Sequence, residues 1–333
     1  MDKTIPKGWY FCAESSEIKP GKIVAKILFG QKIIIWRTTS GTIHISLAVC
    51  PHLGSDLGKL GTVQGEYLQC FSHSYTYNGQ GDCVSTGFNT LPSCHKNVLK
   101  NFPVQEMNGF ILVWYAEDNS SPDWYIPSEL MQPNHSYVRS NFIFKVPIET
   151  INEDNFDVGH LYKWHNIYDV QTTPIEQNNH TISISHSFKR HSILFNKPFK
   201  PPFHFLTKGI HSRYSSTLYG HGLTDSYIDI FNLDIHLQDL IWCTPIDAEH
   251  TMYTTFVRLM KNSDKFYFLS NILSRIIFHA CVWRLRREHK KEGHLFWENQ
   301  SRIQSPILTD VESKLIGPYR RWCLQFTKKV DAT

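Results

Sequence analysis

Two short motifs, Cys50-Pro-His52 and Cys70-Phe-Ser-His73, limit more than any other feature what this chain can fold into. Seventeen residues separate His52 from Cys70, and each motif offers one thiol and one imidazole from a single turn of chain. A two-iron, two-sulfur cluster with two thiolates on one iron and two imidazoles on the other needs one Cys and one His from each of two loops. A Cys2His2 zinc site is the competing chemistry, but zinc ribbons favour C-x-x-C knuckles. Cys50, His52, Cys70 and His73 are therefore the predicted cluster ligands. Two such loops need a rigid frame, and short β-type runs supply one at Ile23 to Leu28, Lys32 to Trp36, Thr42 to Ala48 and Phe110 to Tyr115. Gly, Asn and Ser turns separate these runs, which predicts a small all-β domain.

The chain is too long to be that domain alone. With 333 residues, 41% of them hydrophobic, it can bury a second core. The polar stretch Asp118 to Asp123 is the best linker, giving expected domains of 1–118 and 119–333. Beyond it, period-two alternation at His180 to Ser187, Ser226 to Ile235 and Thr251 to Leu259 predicts an antiparallel sheet with one buried face. Helical patterning covers Glu149 to His165 and Asp264 to about Glu298, the latter through Phe268, Ile272, Ile276, Ala280 and Trp283. The second domain is thus expected to be α+β, with Lys197 to Phe203 as an irregular loop. No apolar run reaches the roughly 18 residues of a membrane span, and Met1 to Pro6 is not a secretory signal, so a cytoplasmic location is expected. Eight irregularly spaced cysteines do not form a secreted disulfide framework. A net charge of +4 gives no nucleic-acid footprint.

A second constellation lies at Glu153 to His165. Two histidines and a carboxylate on one face of a ferrous ion leave the other positions open for oxygen, and Asp157, His160 and His165 offer those residue types. Residues five apart on a straight helix point about 140° away from each other. If His160 and His165 share a metal, the helix must be unwound or contain a π-type turn there, and Gly159 could help.

Gly8-Trp9-Tyr10, Cys50-Pro-His-Leu-Gly54, Leu57-Gly58, Gly61 and Cys70 to Gly79 resemble, in order and spacing, the Rieske domain of ring-hydroxylating oxygenases. Phe71 stands where that pattern has Pro, and Ser74 where it has Gly. Residues 51–56 and 71–76 hold no cysteine, unlike respiratory Rieske proteins, and Cys83 and Cys94 read as structural thiols. Asp157-x-x-His160-x4-His165 resembles the D-x-x-H-x4-H segment of the same oxygenases, with Asp154 where an Asn is common. Tyr219 to Gly222, Thr244 to Asp247, Trp297 to Leu308, Arg320-Arg-Trp322 and Phe326 look most like the 3-ketosteroid 9α-hydroxylase oxygenases and their cholesterol-desaturase relatives.

The resemblance implies an all-β Rieske domain followed by an α+β catalytic domain of helix-grip type, and a monooxygenase activity. It implies a Rieske 2Fe-2S cluster, a mononuclear Fe(II) held by His160 and His165, and O2 as co-substrate. NAD(P)H would act indirectly, through a ferredoxin or flavin reductase. Asp157 would be the bridge that carries electrons from the cluster of one subunit to the iron of its neighbour, which requires a ring, usually a homotrimer. The substrate would be an apolar, steroid-like or polycyclic small molecule, with Phe203, Phe205, Tyr227 and Phe231 among the aromatic residues of that half. The family's third iron ligand is an Asp four residues before the tail tryptophan, and counting back from Trp297 lands on Gly293. Its neighbour Glu292 could take that place if the helix is locally distorted; otherwise it is a solvated glutamate in the charged run Arg284 to Glu292. The basic residues Arg284, Arg286, Arg287, Lys290 and Lys291 read as a solvated face or as a docking site for an acidic redox partner. A different class of protein remains open at this stage, an electron relay whose mononuclear site is impaired.

The cluster ligands generate a direct expectation. The purified protein should be brown, and its reduced form should give the electron resonance of mixed Cys/His ligation. Metal analysis that finds zinc and no acid-labile sulfide would contradict it.

Overall fold

A computed structural model of the chain describes residues 4–131, 137–165, 167–190, 209–231, 235–260 and 269–327. Two compact units are present, Met1–Asn134 with Thr244–Ala248, and His135–Cys243 with Glu249–Thr333.

The first unit is built from short strands: β1 (Gly8–Glu14), β2 (Ile23–Leu28), β3 (Gln31–Arg37), β4 (Ile43–Leu47), β5 (Gly61–Gln64), β6 (Tyr67–Cys70), β7 (Thr76–Tyr77), β8 (Cys83–Ser85), β9 (Asn101–Phe102), β10 (Val104–Met107) and β11 (Phe110–Tyr115). One helical turn, α1 (Leu57–Leu60), interrupts them. They form three sheets, ordered β1-β11-β10, β2-β3-β4-β9 and β5-β6-β7-β8. Strands β3 and β11 are rich in Ile, Val and Trp and are buried nearly throughout, which is why they read as continuous apolar runs. Trp36 is fully buried, so its Nε1–H needs a partner and donates to Ser46 Oγ at 3.1 Å. A cluster of Ile34, Trp36, Leu57, Leu68 and Tyr77 packs beneath the loops that carry Cys50 and Cys70.

The second unit is α+β. Its strands are β12 (Val138–Phe144), β13 (Ile167–Thr172), β14 (Glu176–Asn178), β15 (Thr181–Arg190), β16 (Ile210–Tyr219), β17 (Leu223–Ile230), β18 (Ile235–Pro245) and β19 (Thr251–Leu259). The sheet order is β12-β19-β18-β17-β16-β15-β13, with β14 beside β15. Register fixes the two faces, because paired residues share one. His186, Tyr214, Ile228 and Leu237 form one cross-strand row on the covered face. The other face of β15 and β16 is a hydroxyl ladder, Ser183 with Thr217 at 3.0 Å and Ser185 with Ser215 at 2.9 Å. Ile-Ser alternation in the sequence is this division between faces.

Four helices cover the first face: α2 (Ile148–Glu153), α3 (Val158–Trp164), α4 (Leu269–Leu295) and α5 (Asp310–Cys323). A capping box at Thr309 and Glu312 starts α5. Tyr319 of α5 stacks on Phe156 with centroids 4.7 Å apart, and Arg320 grips Glu153 through two bonds of 2.7 and 2.6 Å. That bidentate pair ties the short, intrinsically weak α2 to a longer helix. None of the described helices is long and apolar enough to cross a membrane.

Some expectations need correction. The alternating stretch Ser226 to Ile235 is not one strand: Ile230 and Ile235 are cross-strand partners at the facing ends of β17 and β18, and the covered face passes from even-numbered residues on β17 to odd-numbered residues on β18. Helical patterning over Glu149 to His165 hides a break at Asp157, which is extended (φ −89°, ψ 95°). On α4 the buried stripe is Phe278, Cys281 and Val282, while Ile276 and Trp283 are exposed, so the core-facing side is rotated from the apolar series expected. Of the basic run, Arg286, Arg287, Lys290 and Lys291 are exposed, and Arg284 departs from the expected solvated face. Arg284 is buried and pairs with Glu288 at 2.7 Å, Arg286 bonds Ser140 Oγ and the Arg139 carbonyl, and Arg287 and Lys291 lie over the rings of Trp283 and Trp164. Lys197 to Phe203, Phe205, Asp264 and Phe268 lie outside the described residues.

Candidate metal centres

The two loops of the first unit close in the same way. Cys50 N–H donates to the Ser55 carbonyl at 2.8 Å, and Gly54 N–H returns to the Cys50 carbonyl at 2.9 Å. Cys70 N–H donates to the Tyr75 carbonyl at 2.8 Å, and Ser74 N–H returns to the Cys70 carbonyl at 2.9 Å. Both loops therefore need a left-handed residue at the same step, Gly54 at φ +80° and Ser74 at φ +59°. A Ser55–Ser72 hydroxyl bond of 2.9 Å joins them. The His52 and His73 rings meet at 4.8 Å, nearly perpendicular, and Tyr75 stacks on His52 at 4.0 Å.

Cys50 and Cys70 are buried, and Tyr77 Oη lies 3.1 Å from Cys50 Sγ. Burial pushes the Cys50 thiol up, so a thiolate there needs a bound cation to hold its charge. His52 Nδ1 is buried with no hydrogen-bond partner among the described residues. An orphaned imidazole nitrogen beside two buried thiols fits a mixed Cys/His cluster.

In the second unit the break at Asp157 has a local cause. Its side chain accepts from the N–H groups of Gly159 and His160, so Asp157 is the N-cap of α3 and His160 is the third residue of the helix. A Cβ on residue 159 would stand 3.2 Å from that carboxylate, which explains the glycine. His160 Nδ1–H donates to the Asp157 carbonyl at 2.6 Å, which leaves Nε2 as the free lone pair. The helix ends at Trp164 with His165 as C-cap, and the two imidazole rings come within 5.2 Å. A helix end, with no π-turn, thus resolves the angular problem of the H-x4-H spacing.

Glu292 arrives from α4, whose helix runs unbroken to Leu295; the distortion expected for its reach is absent. It is 5% exposed, far from the solvated glutamate of the alternative reading. Its Oε1 stands 2.6 Å from His165 Nε2, yet the approach lacks hydrogen-bond direction and Oε1 has no hydrogen-bond partner. Ligand atoms of His160, His165 and Glu292 all lie within 4.8 Å of one another. Atoms that converge on a common point without bonding each other fit a shared ion. Asp154, Asp157 and His160 form a second group within the same limit, on the Nδ1 side of His160, which the Asp157 carbonyl already occupies.

Burial opposes charge on His165, but Glu292 and Glu288 outweigh it and push its pKa up to about 10. Burial likewise resists ionisation of Glu292, and His165 and His160 hold its carboxyl below the usual range. Glu288, whose Oε2 is 3.6 Å from His165 Nδ1, was not singled out from the sequence, nor was the half-buried His289 beside it. The signal was present: Arg284, Glu288 and Glu292 recur every four residues, which places them on one helix face.

Gly293 stands where the related pattern has Asp. A Cβ there would fall 1.9 Å from Phe144 Cε1, so the Phe144 ring fills the space an aspartate would use. Next to the three candidate ligands lies a cavity of about 170 Å³, lined by Ile151, Phe188, Ile228, Leu237, Asp239 and Ile241 among others. Of the aromatic residues noted in this half of the sequence, Tyr227 is on the opposite face of β17 from Ile228, Phe231 is exposed, and Phe203 and Phe205 lie outside the described residues.

Residues 8–103 match the family model of the Rieske [2Fe-2S] domain, and residues 113–327 match that of the 3-ketosteroid 9α-hydroxylase C-terminal domain. Cholesterol 7-desaturase of Ciona intestinalis is 26% identical over 98% of this chain and 69% of its own length. The oxygenase component of 3-ketosteroid-9-alpha-monooxygenase from Rhodococcus rhodochrous is 27% identical over 35% of this chain and 30% of its own length. Among solved structures, dicamba monooxygenase bound to 3,6-dichlorosalicylic acid superposes with a TM-score of 0.70 over 96% of both chains at 15% identity, a likeness of fold.

The Phe144 packing can be tested by its sign. Inside a helix Gly→Ala normally stabilises by about 0.5–1 kcal/mol, whereas overpacking costs about 1–3 kcal/mol. Gly293→Ala and Gly293→Asp should therefore lower the thermal midpoint. A midpoint unchanged or raised by Gly293→Ala would show that Phe144 does not fill the site.

Proposed function

From the premise that the chain belongs to the Rieske oxygenases, we propose that it is a terminal oxygenase that attacks a C–H bond of an apolar, steroid-like or polycyclic substrate. The observation that carries this reading is the convergence of His160, His165 and Glu292 beside a largely apolar cavity. The family carries a Rieske cluster and a mononuclear iron, which when bound supply single-electron storage and dioxygen activation.

The chain's own residues do the rest. Cys50, His52, Cys70 and His73 would hold the cluster, and His160, His165 and Glu292 would hold the iron beside the cavity. The Asp157 carbonyl fixes the His160 tautomer, and Glu288 fixes the His165 ring from its Nδ1 side. The cavity wall excludes water and orients the substrate. In a monooxygenase reaction one oxygen atom enters the substrate, the other leaves as water, and a reductase supplies two electrons alongside two protons.

Asp157 is proposed as the link by which electrons cross from a neighbouring subunit in a homotrimer. Supporting this, its side chain is about a quarter exposed and lines a polar surface groove with Glu153, Asp154, Glu312 and Arg320.

With a reductase and NAD(P)H present, a steroid should stimulate oxygen uptake and be recovered oxidised. Failure of every apolar polycyclic compound to couple uptake to product would reject the substrate reading. Glu292→Ala should lose mononuclear iron and activity while the Rieske spectrum stays intact; retained iron and turnover would remove Glu292 from the ligand set. Asp157→Asn keeps a good N-cap, so both metals should stay bound while turnover falls at least ~100-fold, the upper end of effects measured for groups one shell from a metal. Normal turnover in that variant would send the electrons by another route.

A further inference from the structure

One group on the cavity wall is used by neither the proposed metal site nor the sheet. Asp239 lies on β18 between Leu237 and Ile241, on the face those residues turn to the cavity. It is 2% exposed, and its Oδ1 has no hydrogen-bond partner among the described residues. Its neighbours are already committed. The cross-strand partner Ser226 pairs with the Tyr214 hydroxyl at 3.1 Å, and that hydroxyl also donates to Asn155 Oδ1 at 3.0 Å. On the opposite face, Asp225 accepts from Gln238 Nε2 at 2.7 Å, so the sheet satisfies a buried carboxyl where it uses one for structure.

An unpartnered buried carboxyl is costly and calls for an explanation outside the folded chain. A single water needs roughly 10–15 Å³ by the measure that gives this cavity about 170 Å³, so the space in front of Asp239 suits a ligand.

We propose that Asp239 is the specificity-determining contact of the cavity, hydrogen-bonding a hydroxyl group on an otherwise apolar substrate. This rests on the reading of the cavity as the substrate site and names the polar feature that site selects. Burial, with Asp225 adding to it, pushes the Asp239 carboxyl up to about 7. Near neutral pH it is thus present in both forms. A hydroxyl donates and accepts, so it satisfies either form; a carbonyl accepts only, and an ammonium group requires the ionised form alone.

The test compares two probes, cholesterol and its 3-deoxy analogue, by equilibrium binding to the iron-loaded protein and to Asp239→Asn and Asp239→Leu. Wild type should bind the alcohol about tenfold tighter, the order expected of one buried hydrogen bond. Asp239→Leu should abolish that preference by weakening the alcohol while the deoxy compound binds as before, and Asp239→Asn should keep part of it. Neither variant should lower the melting midpoint, because a buried unsatisfied group is being removed or made neutral. A preference that survives in Asp239→Leu would overturn the proposal and leave the steroid reading standing. So would equal binding of both probes by wild type, or a 3-amino analogue bound tighter than the alcohol. A fall in melting midpoint of both variants would make Asp239 structural and overturn it too. Failure of both probes to bind wild type would overturn the proposal together with the steroid reading, which separates the two.

Discussion

A carboxylate placed inside a protein must be matched by an opposite charge or an ion, and in this chain Glu292 converges with His165 on a point that an ion would occupy. Much of the local architecture reads as the means of bringing these two side chains together. Asp157 breaks the helical run so that His160 falls in the first turn of one short helix, and the end of that helix presents His165. Arg320 and Tyr319 of α5 hold the preceding turns through Glu153 and the Glu149 carbonyl. On the other side, the glycine next to Glu292 admits the Phe144 ring, and Trp297 packs edge-on against that same ring with centroids 5.4 Å apart. The two side chains are therefore held from both ends by packing that is not itself charged.

The sheet supplies a wall for that pair and keeps water away from it. Its period-two pattern sends apolar residues to the helices and hydroxyls to the outer face, so a cavity opens only where α4 and α5 leave the covered face free. At one end Phe156, Ile184 and Leu218 pack under α5, and at the other Leu237 and Val257 pack under α4. What remains between is mostly apolar, and Asp239 stands on its sheet wall with an Oδ1 that has no hydrogen-bond partner among the described residues.

The motifs that were legible in the sequence are those in which local spacing and chemistry coincide. C-x-H and C-x-x-H announce two matched loops, and D-x-x-H reads in three dimensions as an N-cap followed by the third residue of its helix. Strand alternation gave the all-β and α+β division because burial follows period two directly. Three things were hidden. Where one strand ends and the next begins at Ile230 and Ile235 could not be seen, because apolar residues fall at both even and odd positions there. The inward side of α4 was missed because it mixes Phe278 and Val282 with Arg284, Glu288 and Glu292, so an apolar count points to the wrong side. The fate of Gly293 depends on Phe144, nearly 150 residues away in sequence, and no local pattern carries that contact.

The central claim is that this chain holds two separate iron sites, one in each unit. Anomalous diffraction at the iron absorption edge, from crystals of the anaerobically purified protein, tests it most directly. The account predicts two peaks, a two-iron peak among Cys50, His52, Cys70 and His73, and a single-iron peak touching His160, His165 and Glu292. A lone cluster peak, with Glu292 bonded to His165 and no iron between them in iron-replete crystals, would contradict it.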